Sequence, residues 1–450
     1  MFSFFKIDKI PEDYDFLDIM VVDIYGKLKH VTLPKSYVSE KIFKEGIGFD
    51  ASNYGFAKVT DSDMVSISDF DKIYLEENEG MKIIHIFSDV ISPSTGEFFD
   101  QYPRSIAKET LKNIKKSGIA DDIKMLVELE FHIFDEVSYK TSETESYYSV
   151  ENSEGLGEGH DYPKAYGSAY HLNDPYDIHF QLRNEIVKVL ENAGIPVKYH
   201  HHEVGIAQHE IELNFMSLVD AADNVTLAKY LIRRVANEYG LYVTFMPKPL
   251  YNMPGNGMHV HQYLEKEGKS LFVGDALYNL SDLALNYTAG ILHHSLSGSL
   301  LAWSNPSTNS YKRLVPGFEA PISASFSKGS RSAAIRIPGY LSKADTRIEF
   351  RTGDATANVY FFLSAMVLAG INGIENKYDP VKMGFHSKGE NEKEFPLNLK
   401  NVMKGLKEDN EYLKTFPKSL INKWIETKEK EANMIYSIPI PKEFELYFEL

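Results

Sequence analysis

The chain of 450 residues is long enough for two or three domains. Its 43% hydrophobic and 25% charged residues are ordinary globular composition, which excludes a wholly disordered chain, a collagen-like repeat and a membrane bundle. Lys and Arg number 48 against 64 Asp and Glu, a net −16 that makes a phosphate backbone a poor main partner, so no nucleic acid is expected. There is no cysteine, which rules out disulfides, thiolate nucleophiles and Cys-held metals.

MFSFFKIDKIPEDYDF meets acidic residues and Pro11 at once, without a basic segment leading into an apolar one. No apolar run is long enough to span a bilayer. A soluble cytoplasmic protein without membrane contact is expected. FLDIMVVDI (16–24) and KLKHVTL (27–33) flank Tyr25-Gly26 as a hairpin, and KIIHIFSDV (82–90) is a further strand. Ser105 reads as the N-cap of a helix to about Lys116, and a domain boundary falls near residue 100. IKMLVELEFHIF (123–134) is a long strand, whereas polar residues 138–168 read as a loop. Leu182, Ile186, Val189, Leu190 and Ala193 form a helical stripe stopped by Gly194 and Pro196, and Asp220 opens a helix that ends at Gly240. Residues 359–371 are apolar almost all round, as in a fully buried helix, and the last fifty residues read as helices ending in PKEFELYFEL. The class is α+β: a β-rich domain over 1–100 and a larger mixed one over 101–450.

Chemistry gathers on strand faces, because residues two apart on a strand share a side. Glu128 and Glu130 oppose Val127, Leu129 and Phe131; Glu210 and Glu212 oppose Ile211 and Leu213. His259 and His261 share a face, as do Arg347, Glu349 and Arg351. Any one such face is what solvent alone would produce, but paired acids without lysine on several strands call for a shared cation. Carboxylates with one or two His suit Mg²⁺ or Mn²⁺, while a Glu/His zinc site stays open. His200-His201-His202 cannot all face one ion, so that triple is read as partly structural. Arg313, Arg331, Arg336, Arg347 and Arg351 add forks that match phosphate or carboxylate oxygens. No GxxxxGK[ST] or GxGxxG motif is present, so a P-loop or dinucleotide fold is not indicated. The residues alone therefore describe a metal-dependent enzyme acting on phosphate or carboxylate.

An ordered series of motifs goes further. FDASNYG (49–55), ELEF (128–131), HHEVGIAQHEIE (201–212), PGNGMHVH (254–261), NPSTNSYKRLVPGFEAP (305–321), RSAAIRIP (331–338) and RIEFRTGDATANVY (347–360) together resemble glutamine synthetase of the bacterial and archaeal type I class, over nearly the whole length. The resemblance implies a β-grasp-like N-terminal domain and a catalytic domain on a curved antiparallel sheet. It also implies a dodecamer of two hexameric rings with sites shared between neighbours. By matched position, Glu130, Glu203 and Glu210 resemble the ligands of one Mg²⁺ or Mn²⁺, and Glu128, His259 and Glu349 those of a second; Glu212 matches no ligand. Arg313, Arg351 and Gly255 match the grip on glutamate, Arg331 and Arg336 the phosphate contacts, and His261 a position near the nucleotide phosphates. Glu319 matches a flap that closes over the intermediate, Asp50 the acceptor of an ammonium proton from the adjacent subunit, and Tyr170 the tyrosine beside it.

The activity implied is ATP-dependent joining of ammonia to the glutamate γ-carboxylate through γ-glutamyl phosphate. The alternatives are a ligase for a larger amine and a catalytically silent ring. Pro254, Asn256 and Asn53 depart from the family pattern around the amino-acid and amine pockets, and an inward Tyr54 would narrow the entrance. FHSKGENEKEF (385–395) has no tyrosine where one branch of the family is adenylylated, so that regulation is not expected.

Overall fold

A computed structural model describes residues 2–57, 62–154, 168–386 and 392–450. Residues 155–167 of the expected loop and 387–391 of the segment at 385–395 lie outside it.

The first sheet holds β1 (Ser3–Ile7), β2 (Phe16–Val22), β3 (Leu28–Pro34), β4 (Ile47–Asp50), β5 (Asp63–Asn78) and β6 (Met81–Ile91). Its order is β1-β5-β6-β2-β3, with β4 on β5; β2 and β6 run parallel and the other pairs antiparallel. The expected hairpin is β2–β3, and Gly26 turns it at φ 79°, a backbone region where a side chain is strained. Ile42 of helix Glu40–Glu45 packs with Leu17, Ile19 and Ile86 over one face.

The second sheet is built on β7 (Asp122–Phe134). The stretch read as a loop begins instead as a hairpin, β8 (Glu136–Thr141) with β9 (Ser146–Glu151). Its Tyr and Val residues favour strands, a preference that its general polarity concealed. Beyond it come β10 (Val197–His202), β11 (Gln208–Leu213), β12 (Met216–Ser217), β13 (Tyr242–Thr244), β14 (Met258–Lys266), β15 (Lys269–Ser270), β16 (Phe326–Lys328), β17 (Ile335–Ile337) and β18 (Ile348–Phe350). The path is β10-β11-β7-β14-β18-β17-β16. It is mixed rather than wholly antiparallel, because β16 and β17 pair parallel. Three-residue strands are about 10 Å long, so the short link 329–334 can carry the chain back to the same end.

Two helix starts differ from expectation. Ser105 does not cap the first long helix, which begins at Pro103; the proline ring presets φ, and its missing N–H would have no helical partner there. The helix expected from Asp220 begins at Leu218, and Asp220 sits in its first turn, where it accepts from Lys72 at 2.6 Å. Helix Val359–Glu375 is buried along nearly its whole length, as its apolar composition requires. Three helices close the chain, and Phe444, Leu446, Phe448 and Leu450 of the tail are exposed. Among the described residues no helix is long and apolar enough to cross a membrane.

Polar contacts join the first sheet and its β2–β3 turn to three of the helices. Arg104, 1% exposed, reaches Asp69 at 2.6 Å, Asp89 at 3.0 Å and Asp223 at 2.9 Å. Asn358 accepts from Tyr360 N–H at 3.1 Å, capping its helix, and donates to the carbonyls of Asp23 at 3.2 Å and Ile24 at 3.0 Å. Asn358→Ala therefore removes a cap and leaves two buried carbonyls without that donor, a loss of about 2–4 kcal/mol. Denaturant unfolding of the variant checks this; a change below about 0.5 kcal/mol would show that the side chain has no such role.

Candidate active site

Strand register decides which side chains meet. Glu210 on β11 stands opposite Glu130 on β7, and Glu212 opposite Glu128. Glu128 stands opposite His259 on β14; His261 stands opposite Glu349 on β18, which stands opposite Arg336 on β17. On the other side of β7, Leu129 and Phe131 enter the apolar core, against which helices Pro103–Ser117 and Leu218–Glu238 pack. This charged row faces a cavity of about 230 Å³ that opens to solvent and is lined largely by charged groups.

Within it, Glu128 lies 2.7 Å from His259 Nδ1 through one oxygen and 2.7 Å from His261 Nε2 through the other. Burial opposes ionisation of Glu128, but His261 and His259 outweigh it and hold the carboxyl well below its usual range. Burial likewise opposes ionisation of Glu349, and Arg351 beside it prevails. Arg336 donates to the second Glu349 oxygen at 2.9 Å. Glu130 accepts the Gly257 N–H at 2.7 Å. A Cβ at Gly257 would lie 2.5 Å from His259 Nε2 and 2.6 Å from Arg313, so any side chain there would displace one of them. Glu203 and Glu210 behave differently. Burial and then Glu130 push Glu203 up to about 8, and burial with Glu128, Glu203 and Glu130 pushes Glu210 well above the usual value.

Carboxylates packed so closely repel unless protons or cations intervene. Oxygen and imidazole atoms of Glu128, His259 and Glu349 lie within 4.8 Å of one another, as do those of Glu130, Glu210 and His259, and those of His201, Glu203 and Glu210. This mostly hard-oxygen donor set suits a divalent cation such as Mg²⁺ or Mn²⁺. Glu212 also comes within reach of Glu128 and His261 but accepts from Lys198 at 2.7 Å, in keeping with its absence from the expected ligands.

Gly255, Arg313, Arg331, Arg336, Arg351, Tyr170 and Glu319 line the same cavity. Arg313 is buried and held by the Thr352 carbonyl at 2.8 Å. Arg331 donates to Glu319 at 3.1 Å and stands 5.6 Å from the centre of the Tyr170 ring. Glu319 has φ 58° and is half-exposed, a strained backbone held at the rim. His261 is buried behind Glu128, with Arg347 donating to its other nitrogen at 3.3 Å.

Asp50 is not brought to this cavity. It is exposed on the first sheet and accepts from Ser52 N–H at 2.9 Å and from Asn53 at 3.3 Å. Asn53 thus steadies the carboxylate. Tyr54 packs against Phe49 and Phe56 and does not reach the wall of its own chain's cavity. Asn256 is fully buried; it donates to Met246 O at 2.8 Å, and its Oδ1 lies 2.9 Å from His132 Nδ1. It therefore acts as a brace behind the wall, whereas Pro254 lies on the wall itself.

Sequence reasoning missed Tyr199, Gln208 and Tyr340 on the cavity wall. Gln208 donates to the Gly255 carbonyl at 3.0 Å. Period-two spacing from Glu210 points to Gln208, and from His201 to Tyr199, but neutral side chains carry no charge pattern to draw attention to them. The His triple divides as strand geometry requires: His201 faces the cavity, while His200 and His202 turn away toward Asn184 and Glu154.

A family model described as the glutamine synthetase catalytic domain matches residues 100–447, and one described as the glutamine synthetase beta-Grasp domain matches 13–93. The chain is 38% identical to a glutamine synthetase of Mycolicibacterium smegmatis, over 99% of this chain and 98% of that one. It is also 38% identical to one of Aquifex aeolicus, over 98% and 97%. A cryo-EM structure of Plasmodium falciparum glutamine synthetase superposes with a TM-score of 0.88 at 27% identity, covering 97% of this chain and 96% of that one.

The raised carboxyls set a pH dependence with a definite sign. Without a cation, the folded chain holds a proton on Glu203 that the unfolded chain releases near 4.5, so this contribution to stability falls as pH rises from about 4.5 to about 8. A bound divalent cation takes the proton's role and removes the fall. Thermal unfolding across that range, with chelator and with Mg²⁺, checks it. Glu203→Gln should flatten the chelated profile, and an unchanged slope would contradict the assignment.

Proposed function

We infer the chemistry from one premise: the chain belongs to the glutamine synthetase family. It is an ATP-dependent glutamate–ammonia ligase. Within the family we assign it to the type I class, on the ordered motifs from FDASNYG to RIEFRTGDATANVY. The observation that carries the residue roles is the cross-strand row of carboxylates and imidazoles, with arginines closing the same cavity.

We propose that Glu130, Glu203 and Glu210 hold one Mg²⁺ or Mn²⁺ and Glu128, His259 and Glu349 another. When bound, these ions offset the charge that develops on the transferring phosphoryl group. Arg313, Arg351 and the backbone of Gly255 orient glutamate, since guanidinium forks match carboxylate oxygens. Arg331 and Arg336 meet phosphoryl oxygens, and His261 steadies Glu128 on the nucleotide side. A γ-carboxylate oxygen of glutamate attacks the γ-phosphorus of ATP; ADP leaves, and the poor leaving group becomes phosphate. Ammonium passes a proton to Asp50. The ammonia nitrogen then attacks the acyl carbon, the carbon–oxygen bond to phosphate breaks, and phosphate departs with one proton from that nitrogen, which leaves the amide. Glu319 closes the rim so that water does not hydrolyse the acyl phosphate.

Asp50 stands away from its own chain's cavity, which supports an active site completed by a neighbour's first sheet. We therefore propose that Asp50 and Tyr170 form the ammonium pocket across an interface, in a dodecamer of two hexameric rings in the cytoplasm. A domain boundary near residue 100 gives the neighbour-facing part its own sheet. Pro254 lacks an amide side chain and an N–H, and one neutral hydrogen bond is worth roughly 0.5–1.5 kcal/mol, too little to change the reaction.

Two measurements test the reading. Purified enzyme with ATP, Mg²⁺ and glutamate should release phosphate with ammonium at a higher kcat/KM than with putrescine or other alkylamines. A preference for an alkylamine would reassign the acceptor. Reassembled mixtures of Asp50→Ala and Glu130→Ala chains, each inactive alone, should recover part of the activity. Mixed rings that form and stay inactive would rule out the shared site.

A further inference from the structure

The stretch LVPGFEAP (314–321) carries Glu319, but its Phe318 has no part in the chemistry described so far. Phe318 lines the cavity, half-buried, between two residues of positive φ, Gly317 at 95° and Glu319 at 58°. A side chain at positive φ is strained and keeps that backbone only where its surroundings hold it. The Arg331 contact to Glu319 does not suffice, because both side chains are about half-exposed and an exposed ion pair contributes little. A second tether lies at Phe318. The Lys248 ammonium stands 3.9 Å from the centre of its ring, well inside the reach of a cation over an aromatic face.

Lys248 is a firm anchor. Pro247 and Pro249 restrict the backbone on both sides of it. Its N–H donates to Asn309 Oδ1 at 2.7 Å, and Asn309 Nδ2 donates back to its carbonyl at 3.1 Å. Its ammonium donates to the Met253 carbonyl and, among the described residues, meets no carboxylate. Burial and then the Arg313 charge disfavour the ammonium, so the electron-rich face of Phe318 is a favourable partner. Asn309 opens the run that carries Arg313 and continues into the flap. That run closes on Lys248 twice, at the backbone through Asn309 and at the ammonium through Phe318, with Arg313 between. Arg331 holds the flap from elsewhere: it precedes β17, two strands beyond β14 on the sheet path, whereas Lys248 follows β13, a partner of β7.

We propose that Lys248, acting through Phe318, is a positioning residue that keeps the flap closed over the acyl phosphate; this rests on the reading of Glu319 as the group that excludes water. Weakening the contact leaves phosphoryl transfer in place and admits water. A water oxygen then bonds to the acyl carbon, and the carbon–oxygen bond to phosphate breaks. One water proton goes to the departing phosphate and the other to solvent, and glutamate is regenerated. The net reaction is ATP hydrolysis, so a loose flap shows itself as phosphate released without glutamine.

Two substitutions in the full-length protein test this. Lys248→Met keeps the stem and loses the charge. Phe318→Leu keeps apolar bulk and the Lys248 bond to Met253, and loses the ring face. Phosphate release from ATP, Mg²⁺ and glutamate is measured with and without ammonium, alongside glutamine formed. Both variants should release phosphate without ammonium about twofold to thirtyfold faster, the range such a contact is worth. Both should form less glutamine per phosphate, with thermal midpoints near that of the unmodified chain. Lys248→Arg and Phe318→Tyr, which keep a cation and a ring face, should restore coupling. A merely structural role would lower both products together and leave their ratio unchanged. An unchanged ratio in either Lys248→Met or Phe318→Leu overturns the proposal. Glu319→Ala tests the underlying reading by itself: if that variant stays coupled, Glu319 does not exclude water. If it uncouples while the other two variants do not, the flap stands and the Lys248 anchor falls.

Discussion

Repulsion among buried carboxylates is the constraint on which this molecule depends. Glu130 and Glu210 face each other across one strand pair, and Glu128 and Glu349 lie close by across β14. In the chain alone, His261 and His259 hold Glu128 ionised and Arg351 and His261 hold Glu349 ionised, while Glu203 and Glu210 are driven toward the protonated form. The cavity is thus divided between charges the protein neutralises itself and charges left for a ligand. That division costs folding stability and is the electrostatic ground for the cation and anion roles proposed for these residues.

The scaffold makes this tolerable. Strand alternation directs the acids to one side and gives the other to Leu129, Phe131 and Ile211, which are fully buried. The apolar stabilisation on one face and the electrostatic strain on the other therefore come from the same strands. Substitution of an inward Leu or Phe would disturb the spacing of the carboxylates as well as the core.

The parts legible in the sequence were those with a period or a charge pattern. β7, β11 and β14 announced both their secondary structure and which of their side chains share a face, because apolar and ionisable residues alternate along them. The buried helix at Val359–Glu375 was equally plain. The hairpin at β8–β9 was hidden by its polar composition, since two exposed strands need no apolar face to mark them. Ser105 was mistaken for a cap because Ser and Pro both signal helix starts and only the geometry of Pro103 decides between them. Tyr199 and Gln208 escaped because neutral residues leave no charge signal. The role of Asn256 lay in contacts with Met246 and His132, which no local pattern encodes.

Arg104 and Asn358 bear on how the chain is made. Asp69 and Asp89 precede Arg104 by 35 and 15 positions, but its third partner, Asp223, is 119 positions further on. The carbonyls of Asp23 and Ile24 wait longer still, because Asn358 follows Asp23 by 335 positions. While translation proceeds, the β-rich sheet has its strands but not the polar clasps on its inner side, and those groups stay hydrated until most of the polypeptide has left the ribosome. The sheet that emerges first is thus among the last parts to be sealed, and its open face is the surface a nascent-chain chaperone would have to shield.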